Sequence, residues 1–248
     1  MSTLHFHKNS IGQPIGLALP EWHIPLPLAP YRFKGRYCHI EPLVSPLHAH
    51  ALYEANALDT NDSGWTYMAY GPFEQLTAFE QWVKEAAQST DPLFHALVDP
   101  FTQKAVGVAS YLRIDRSNGV IEIGHLKFSP RMQQSRMATE ALYQFIKHSF
   151  DLGFRRCEWK CDALNAPSRR AAQRLGFQFE GIFRQASVYK GRNRDTAWYA
   201  IIDKDWPHLQ SAFKQWLNPA NFDNNGQQIL SLSGLTAPLI KTSEKTTL

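Results

Sequence analysis

Hydrophobic and polar residues follow two different periods along the chain. Runs of alternating apolar residues, rich in β-branched side chains, predict strands over residues 35–42, 93–99, 105–114, 121–128, 155–162, 178–184 and 195–202. Apolar residues three or four positions apart predict helices over residues 46–58, 73–88, 137–152, 166–175 and 206–217. Consecutive strands followed by strand–helix units predict an α/β fold, with helices on both faces of one sheet.

The two ends of the chain lack this periodicity. We expect residues 1–34 to form an extended arm, residues 35–206 the folded domain, and residues 207–248 a helix and tail packed on or near it. The arm is either docked through Trp22, Ile24 and Leu26 or loosely attached. In the tail, we expect an edge strand over residues 229–235 and frayed structure over residues 239–248.

The most informative stretch lies at residues 121–140. A strand begins there, Gly124 interrupts it and suggests a β-bulge, and Pro130 ends it. The next helix begins near Met137. Residues 131–136 therefore lead into a helix N-terminus, where free backbone N–H groups and the helix dipole attract anions.

This stretch resembles the acyl-CoA-binding segment of the GNAT superfamily of N-acetyltransferases. The family pattern is a strand, a proline, and then Arg/Gln-x-x-Gly-x-Gly/Ala at the start of a helix. Gln133 and Ala138 match the pattern, whereas Arg136 stands at its glycine position. The family uses glycine there so that the backbone can approach a pyrophosphate.

A second motif strengthens the resemblance. In the family, a strand ends at Asn-x-x-Ser and a short helix follows, closed by Gly-Phe. Asn165, Ser168, Gly176 and Phe177 fill these positions at the expected spacing. The details are most similar to the RimJ/RimL branch, which acetylates protein N-termini and some small amines. The resemblance covers roughly residues 37–206.

The resemblance implies a mostly antiparallel sheet splayed at its middle strands, and acetyl-CoA as the cofactor. The splayed strand would bind the pantetheine arm through the backbone at Leu126 and Phe128, and an N–H near Phe128 would donate to the thioester oxygen. Asn165 would bond the pantetheine amides. The remaining implied cofactor-binding positions form one loop: Gln133, Gln134, Ser135, Arg136, Met137 and Ala138. No metal site is expected.

Two residues could act as the general base. Glu122 and His125 lie on the predicted splayed strand, and regular alternation would place them on opposite faces unless a bulge near Gly124 shifts the register. We favour Glu122, because many family members have a carboxylate on this strand. Either residue could instead have a purely structural role, and a base acting through water fits equally well.

The general acid is assigned to Ser168. Many family members have a tyrosine four residues before the Gly of Gly-Phe, where this chain has Ala172. The RimJ/RimL-like alternative is the serine after Asn-x-x, which is Ser168. A thiolate leaves readily, so orientation by a hydroxyl could suffice. Alternatively, Ser168 is a helix cap.

Two segments could form the walls of the acceptor site. Residues 59–71 carry three aromatic side chains, and the predicted loop at residues 189–196 carries three basic ones; these six are Trp65, Tyr67, Tyr70, Lys190, Arg192 and Arg194. Together they favour a peptide or amino-acid-like primary amine over a polyamine. The alternatives are a loop pinned by buried aromatics, a solvated basic turn, or a site for the cofactor's ribose phosphate.

Composition limits the remaining possibilities. The net charge of +4, with 19% charged residues, is too small to indicate a nucleic-acid partner. The sequence shows no membrane span or signal peptide. The three cysteines are expected to be buried thiols in a cytoplasmic monomer or homodimer. Two hypotheses follow: direct acetyl transfer to an amine without a cysteine nucleophile, or a non-catalytic CoA-binding module.

Overall fold

A computed structural model describes residues 6–240 of the chain. Its strands are β1 (His7–Lys8), β2 (Pro14–Ile15), β3 (Phe33–Lys34), β4 (His39–Pro42), β5 (Leu93–Val98), β6 (Ala105–Asp115), β7 (Val120–Phe128), β8 (Arg156–Asp162), β9 (Gln178–Tyr189) and β10 (Arg192–Ile202). Its helices are α1 (Ser45–Asn56), α2 (Leu76–Ala86), α3 (Arg136–Asp151), α4 (Ala166–Arg174), α5 (Trp206–Leu217) and α6 (Leu232–Thr236).

Eight strands form one mixed sheet in the order β3-β4-β5-β6-β7-β8-β10-β9. Every neighbouring pair in this sheet is antiparallel except β7–β8, which is parallel and joined through helix α3. The register of β7 and β8 covers three residue pairs and ends at Glu122 with Glu158. Beyond Glu122 the two strands diverge, and this confirms the predicted splay in the middle of a mostly antiparallel sheet.

Helices cover both faces of the sheet, as predicted. Helices α1 and α2 pack over β5 and β6 in a core that includes Leu52, Phe79, Val83, Phe94 and Trp65. Helices α3, α4 and α5 pack on the other face in a larger core that includes Tyr111, Ile123, Phe145, Phe177 and Phe213. These two cores hold the splayed strands rigidly from both sides.

A β-bulge reshapes the middle of β7. Ser110 pairs with Gly124 and Val108 pairs with Lys127, so one residue of β6 lies opposite two residues of β7, one of which is His125. The backbone of His125 has a φ of 50°, which is the left-handed region. A bulge inserts an extra residue and shifts the alternation of side chains. The interruption predicted at Gly124 therefore lies one residue later.

Three sequence expectations about local structure are wrong. The hairpin formed by β9 and β10 extends far into the predicted loop at residues 189–196 and closes through a two-residue turn, Lys190-Gly191, in which both residues have positive φ. The predicted edge strand at residues 229–235 is instead helix α6, because the Ser231 hydroxyl accepts a hydrogen bond from the Gly234 N–H and caps it. The predicted strand at residues 35–42 begins only at His39.

The N-terminal arm is attached through its backbone and through side chains, since Pro25 is buried and Leu28 and Phe33 pack against the larger core. Arg116 donates two hydrogen bonds to the Pro25 carbonyl, at 2.8 and 2.9 Å, and Tyr31 packs against the larger core. The side chains of Ile24 and Leu26, which could have docked the arm, are exposed. Of the segment predicted to fray, residues 241–248 lie outside the described residues. Across residues 6–240, no helix is long and apolar enough to cross a membrane.

Candidate active site

The gap between β7 and β8 exposes hydrogen-bonding backbone. The Ser129 N–H donates to the Val106 carbonyl at 3.1 Å, which makes these two residues a hydrogen-bonded pair of the β6–β7 ladder. Since such pairs alternate in antiparallel strands, the N–H and C=O of Phe128 point away from β6, into the gap. Leu126 lies within the bulge, where this alternation does not apply. Phe128, one of the two positions predicted to bind the pantetheine arm, thus directs its backbone groups into a slot between β7 and β8.

Four consecutive N–H groups lie at the mouth of this slot. Within residues 6–240, no group accepts a hydrogen bond from the backbone N–H of Gln134, Ser135, Arg136 or Met137. Gln134 has a φ of 55°, and this left-handed residue curves the N–H groups around the N-terminus of α3. Free donors at a helix N-terminus form an anion-binding concavity.

The two flanking positions of this loop have other roles. The Ala138 N–H donates to the Ser135 hydroxyl at 3.2 Å, and the Gln133 N–H donates to the Ser129 carbonyl at 3.1 Å. The Gln133 side-chain amide donates to the Phe128 carbonyl at 3.0 Å, which braces the loop against the strand. The resemblance implied six cofactor-binding positions, at residues 133–138. In the structure, the backbone N–H groups of four of them, residues 134–137, are free.

The side chain of Arg136 reaches two aromatic rings outside the loop. Its guanidinium lies over the rings of Tyr37 and Phe222, at 5.1 and 4.5 Å from their centroids. The side chain therefore does not fill the space that the family keeps open with glycine. Sequence reasoning missed Phe222, because it lies 86 positions further along the chain, in the tail.

Helix α4 brings Asn165 and Ser168 to the other side of the gap. The Asn165 carboxamide oxygen accepts the Ser168 N–H at 3.1 Å, so Asn165 rather than Ser168 caps the helix. The Ser168 hydroxyl oxygen accepts a hydrogen bond from the Trp159 indole at 3.0 Å. The same hydroxyl also forms a hydrogen bond with the Cys161 thiol. Ala172, at the family's tyrosine position, is fully buried in the core.

Glu122 lies in a chain of charges that crosses the parallel junction. Arg113 Nη1 and Lys160 Nζ lie 2.7 and 3.0 Å from its Oε2 atom, and only 3% of Glu122 is exposed. Lys160 also lies 2.6 Å from Glu158, to which Arg156 donates at 2.7 Å. Sequence reasoning overlooked this network. Its signal was the charged residues Arg156, Glu158 and Lys160, which occupy every second position of a predicted inner strand and therefore share one face of the sheet.

His125 lies on the same face as Glu122, because of the bulge. Nδ1 lies 3.2 Å from the Tyr70 hydroxyl, and the two rings are stacked. Burial, reinforced by Arg113 and Arg194, lowers the pKa of His125 to about 4, so the imidazole is neutral at pH 7. Burial raises the pKa of Tyr70, which therefore keeps its proton.

The three thiols are buried, and Cys161 contacts the site through its hydrogen bond with the Ser168 side chain. Cys38, Cys157 and Cys161 are all buried and unpaired, as expected. Burial is the main cause that raises the pKa of each thiol. A protonated, buried thiol is a poor nucleophile. The geometry therefore agrees with direct transfer.

The two segments predicted to form the walls of the acceptor site are in contact with each other. Lys190 Nζ donates to the Trp65 carbonyl at 2.8 Å, which joins the β9–β10 turn to residues 59–71. The Tyr67 hydroxyl donates to the Leu164 carbonyl at 3.1 Å, across the gap. The segments expected to form the acceptor walls thus touch each other. Lys190 is engaged in this contact, so only Arg192 and Arg194 remain of the predicted basic groups.

Comparisons with known proteins agree with the geometry. The acetyltransferase (GNAT) domain profile matches residues 40–178. A GCN5-related N-acetyltransferase structure from Brucella melitensis is 43% identical, with a TM-score of 0.85 over 88% of this chain and 100% of that chain. A probable GNAT-family acetyltransferase structure from Chromobacterium violaceum ATCC 12472 is 38% identical, with a TM-score of 0.73 over 79% of this chain and 98% of that chain.

A curated relative matches as well. The uncharacterized N-acetyltransferase p20 of Bacillus licheniformis is 29% identical over 144 residues, which are 56% of this chain and 80% of that protein. The matched profile spans more than half of the chain and includes the splayed strands, the N–H loop and helix α4. The chain therefore belongs to the GNAT superfamily of N-acetyltransferases, in its RimJ/RimL-like branch.

Proposed function

We propose that this N-acetyltransferase moves the acetyl group of acetyl-CoA directly to the α-amino group of a peptide, a protein N-terminus or an amino-acid-like molecule. The observation that carries the proposal is that neither of the two predicted bases can act as a strong base. Glu122 is held by two cations, and the pKa of His125 is about 4.

The residues around the gap fit acetyl-CoA. The four free N–H groups at residues 134–137 suit the diphosphate, and the slot-facing backbone of Phe128 suits an amide of a pantetheine arm. The cofactor supplies a thioester, which is activated for attack by an amine. The Phe128 N–H points to where the thioester oxygen would be stabilised.

The weakness of the available bases selects the acceptor. A peptide α-amine has a pKa near 7.7–8.0, and a lysine-type amine has one near 10.4. At pH 7.5, roughly a third of α-amines are neutral, against about one in a thousand lysine-type amines. His125 and Tyr70 can orient an amine that is already neutral, or relay its proton through water, but they cannot deprotonate a strongly basic amine efficiently.

Charge around the gap supports the same choice. Arg113 and Arg194 both act electrostatically on His125 and lie on the acceptor side of the sheet. Two guanidinium groups favour an amine that carries a carboxylate, such as an acidic side chain or the α-carboxylate of an amino acid. They disfavour a polycation, because like charges would meet there.

Ser168 would act on the leaving group. Its hydroxyl oxygen accepts the Trp159 indole N–H, and its proton would move from the neighbouring Cys161 thiol to the departing sulfur. A thiolate is a good leaving group near neutral pH, and one hydrogen bond suffices to stabilise it. Asn165 positions this hydroxyl by capping α4.

The test uses two peptides of the same sequence, containing one lysine. One has a free N-terminus and an acetylated lysine, and the other has an acetylated N-terminus and a free lysine. We expect kcat/KM for the first to be at least tenfold higher, measured as CoA release. The rate should rise with pH up to the pKa of the acceptor amine.

Spermidine at equal concentration serves as the polycationic competitor. We expect the free-N-terminus peptide to be preferred, and Arg194→Gln to narrow that preference. The matched control is Arg192→Gln, since Arg192 is exposed and lies two residues away in the same hairpin. A better kcat/KM for spermidine or for the lysine peptide would refute the proposed acceptor class.

A further inference from the structure

The guanidinium of Arg136 lies over two aromatic rings from distant parts of the chain. Tyr37 comes from the turn between β3 and β4, and Phe222 comes from the segment that follows α5. A guanidinium that lies over an aromatic ring can still donate hydrogen bonds from its N–H edges. Within residues 6–240, no oxygen accepts a hydrogen bond from these N–H groups, and no carboxylate lies within ion-pair distance.

Arg136 lies at the start of the helix that follows the anion-binding loop. Arg136 is the first residue of α3 and follows Ser135, so it lies directly beside the free N–H groups of the loop. Side chains of a helix lean toward its N-terminus. From this position, an arginine can offer its fork of donors to a phosphate bound at the loop through two parallel hydrogen bonds.

The segment that supplies Phe222 is firmly fixed. The buried Asn221 side chain donates to the carbonyls of Trp216 and Leu230 and accepts the Leu230 N–H, which closes residues 221–230 into a loop. The Trp216 indole donates to Gln228 at 2.8 Å, and its ring packs edge-on against Phe222. This loop places one aromatic face on Arg136 with little freedom to move.

We propose that Arg136 donates to a phosphate of acetyl-CoA, and that the C-terminal loop of residues 221–230 is part of the cofactor site because it holds Arg136 in place. Arg136, which stands at the family's glycine position, would thus add a donor to the phosphate. Its side chain does not block the free backbone N–H groups of the loop. The inference rests on the proposed use of acetyl-CoA and adds residues to that site.

Calorimetric titration of the full-length protein with CoA tests the inference. We expect Arg136→Gln to weaken CoA binding at least tenfold and to reduce its dependence on salt between 50 and 200 mM, because one charged contact is lost. Arg136→Lys should recover only part of the affinity, because lysine lacks the planar fork. Arg131→Gln is the matched control: it removes an exposed arginine of the same loop and should change the affinity less than threefold.

Phe222→Leu tests the role of the C-terminal loop. We expect about a threefold to tenfold loss of CoA affinity in the wild-type background and no further loss in the Arg136→Gln background, since Phe222 acts through Arg136. Pantetheine, which has no phosphate, should compete equally well in both backgrounds. Circular dichroism and the Tm without ligand establish that each variant is folded.

The outcomes separate the two proposals. If the wild type does not bind CoA, the proposed cofactor is wrong. If the wild type binds CoA and Arg136→Gln binds it as tightly, or no more weakly than Arg131→Gln, the phosphate contact is wrong. An additional loss from Phe222→Leu in the Arg136→Gln background, or weaker competition by pantetheine, would show a structural effect and overturn the inference.

Discussion

Replacing Ser168 by alanine separates a catalytic hydroxyl from a structural one. The change removes the acceptor of the Trp159 indole N–H, which lies 3.0 Å away, and Trp159 is only 4% exposed. An orphaned buried donor costs about 1–3 kcal/mol of stability. If the hydroxyl also protonates the leaving sulfur, kcat should fall tenfold to hundredfold, which corresponds to roughly 1.4–2.7 kcal/mol of activation free energy.

Trp159→Phe is the matched control for this experiment. It removes the indole donor and leaves the Ser168 hydroxyl in place, so it should lower stability while kcat stays within about threefold of the wild type. CoA release can be followed with a thiol-reactive dye, because the three cysteines of the protein are buried and contribute little signal. Urea unfolding of the same preparations gives the stability of each variant.

The comparison of the two variants decides the role of Ser168. If Trp159→Phe loses as much turnover as Ser168→Ala, the hydroxyl serves only to hold the indole and the proposed acid is wrong. A loss of kcat confined to Ser168→Ala, with the KM for acetyl-CoA unchanged, supports donation to the leaving group. Ser168→Thr should then restore most of the activity, because it keeps a hydroxyl.

Three further predictions concern binding and stability. Ala138→Asp should abolish CoA binding in a folded protein, since a carboxylate would face the diphosphate; unchanged affinity by calorimetry would place the diphosphate elsewhere. Glu140→Gln should lower the free energy of unfolding, measured with urea, by about 2–4 kcal/mol, because the buried carboxylate accepts hydrogen bonds from the N–H groups of residues 36–38 at 3.2, 2.7 and 2.8 Å. The pKa of both His95 and His125 is lowered to about 4, so stability is complete above pH 6.5 and falls toward pH 4 as the unfolded chain takes up protons. At pH 5, each histidine should lower the free energy of unfolding by about 2 kcal/mol. Urea titrations of His125→Asn should show a loss of unfolding free energy between pH 8 and pH 5 that is smaller by this amount.

Much of the fold was predictable because its signals are local. The end of β7 and the start of α3 were predicted within one or two residues, from Pro130 and from the apolar period after Met137. The Asn-x-x-Ser spacing located α4, and Asn165 turned out to be its cap. Motifs of this kind depend on neighbouring residues, and therefore remain readable in one sequence.

The parts that escaped prediction depend on distant contacts. The bulge at His125 reverses the expected separation from Glu122, and its position is set by pairing with β6 rather than by Gly124 itself. Arg136 could be read as a phosphate ligand or as an exposed side chain, and the ring that determines its orientation comes from Phe222. Lys190, which was predicted to be one of three basic groups facing the acceptor, donates instead to the Trp65 carbonyl, 125 positions away.

The short parallel junction between β7 and β8 divides the sheet into two parts that are also consecutive in the chain. Residues 33–128 form one continuous antiparallel ladder, and residues 156–202 form the other. Within the sheet, the junction between the two parts consists of three residue pairs beside a buried ion-pair network. Such boundaries separate cooperative units of opening in native-state hydrogen exchange. The slot forms only where these two units meet, so an opening of the junction that leaves both ladders intact would dismantle the site before the protein unfolds.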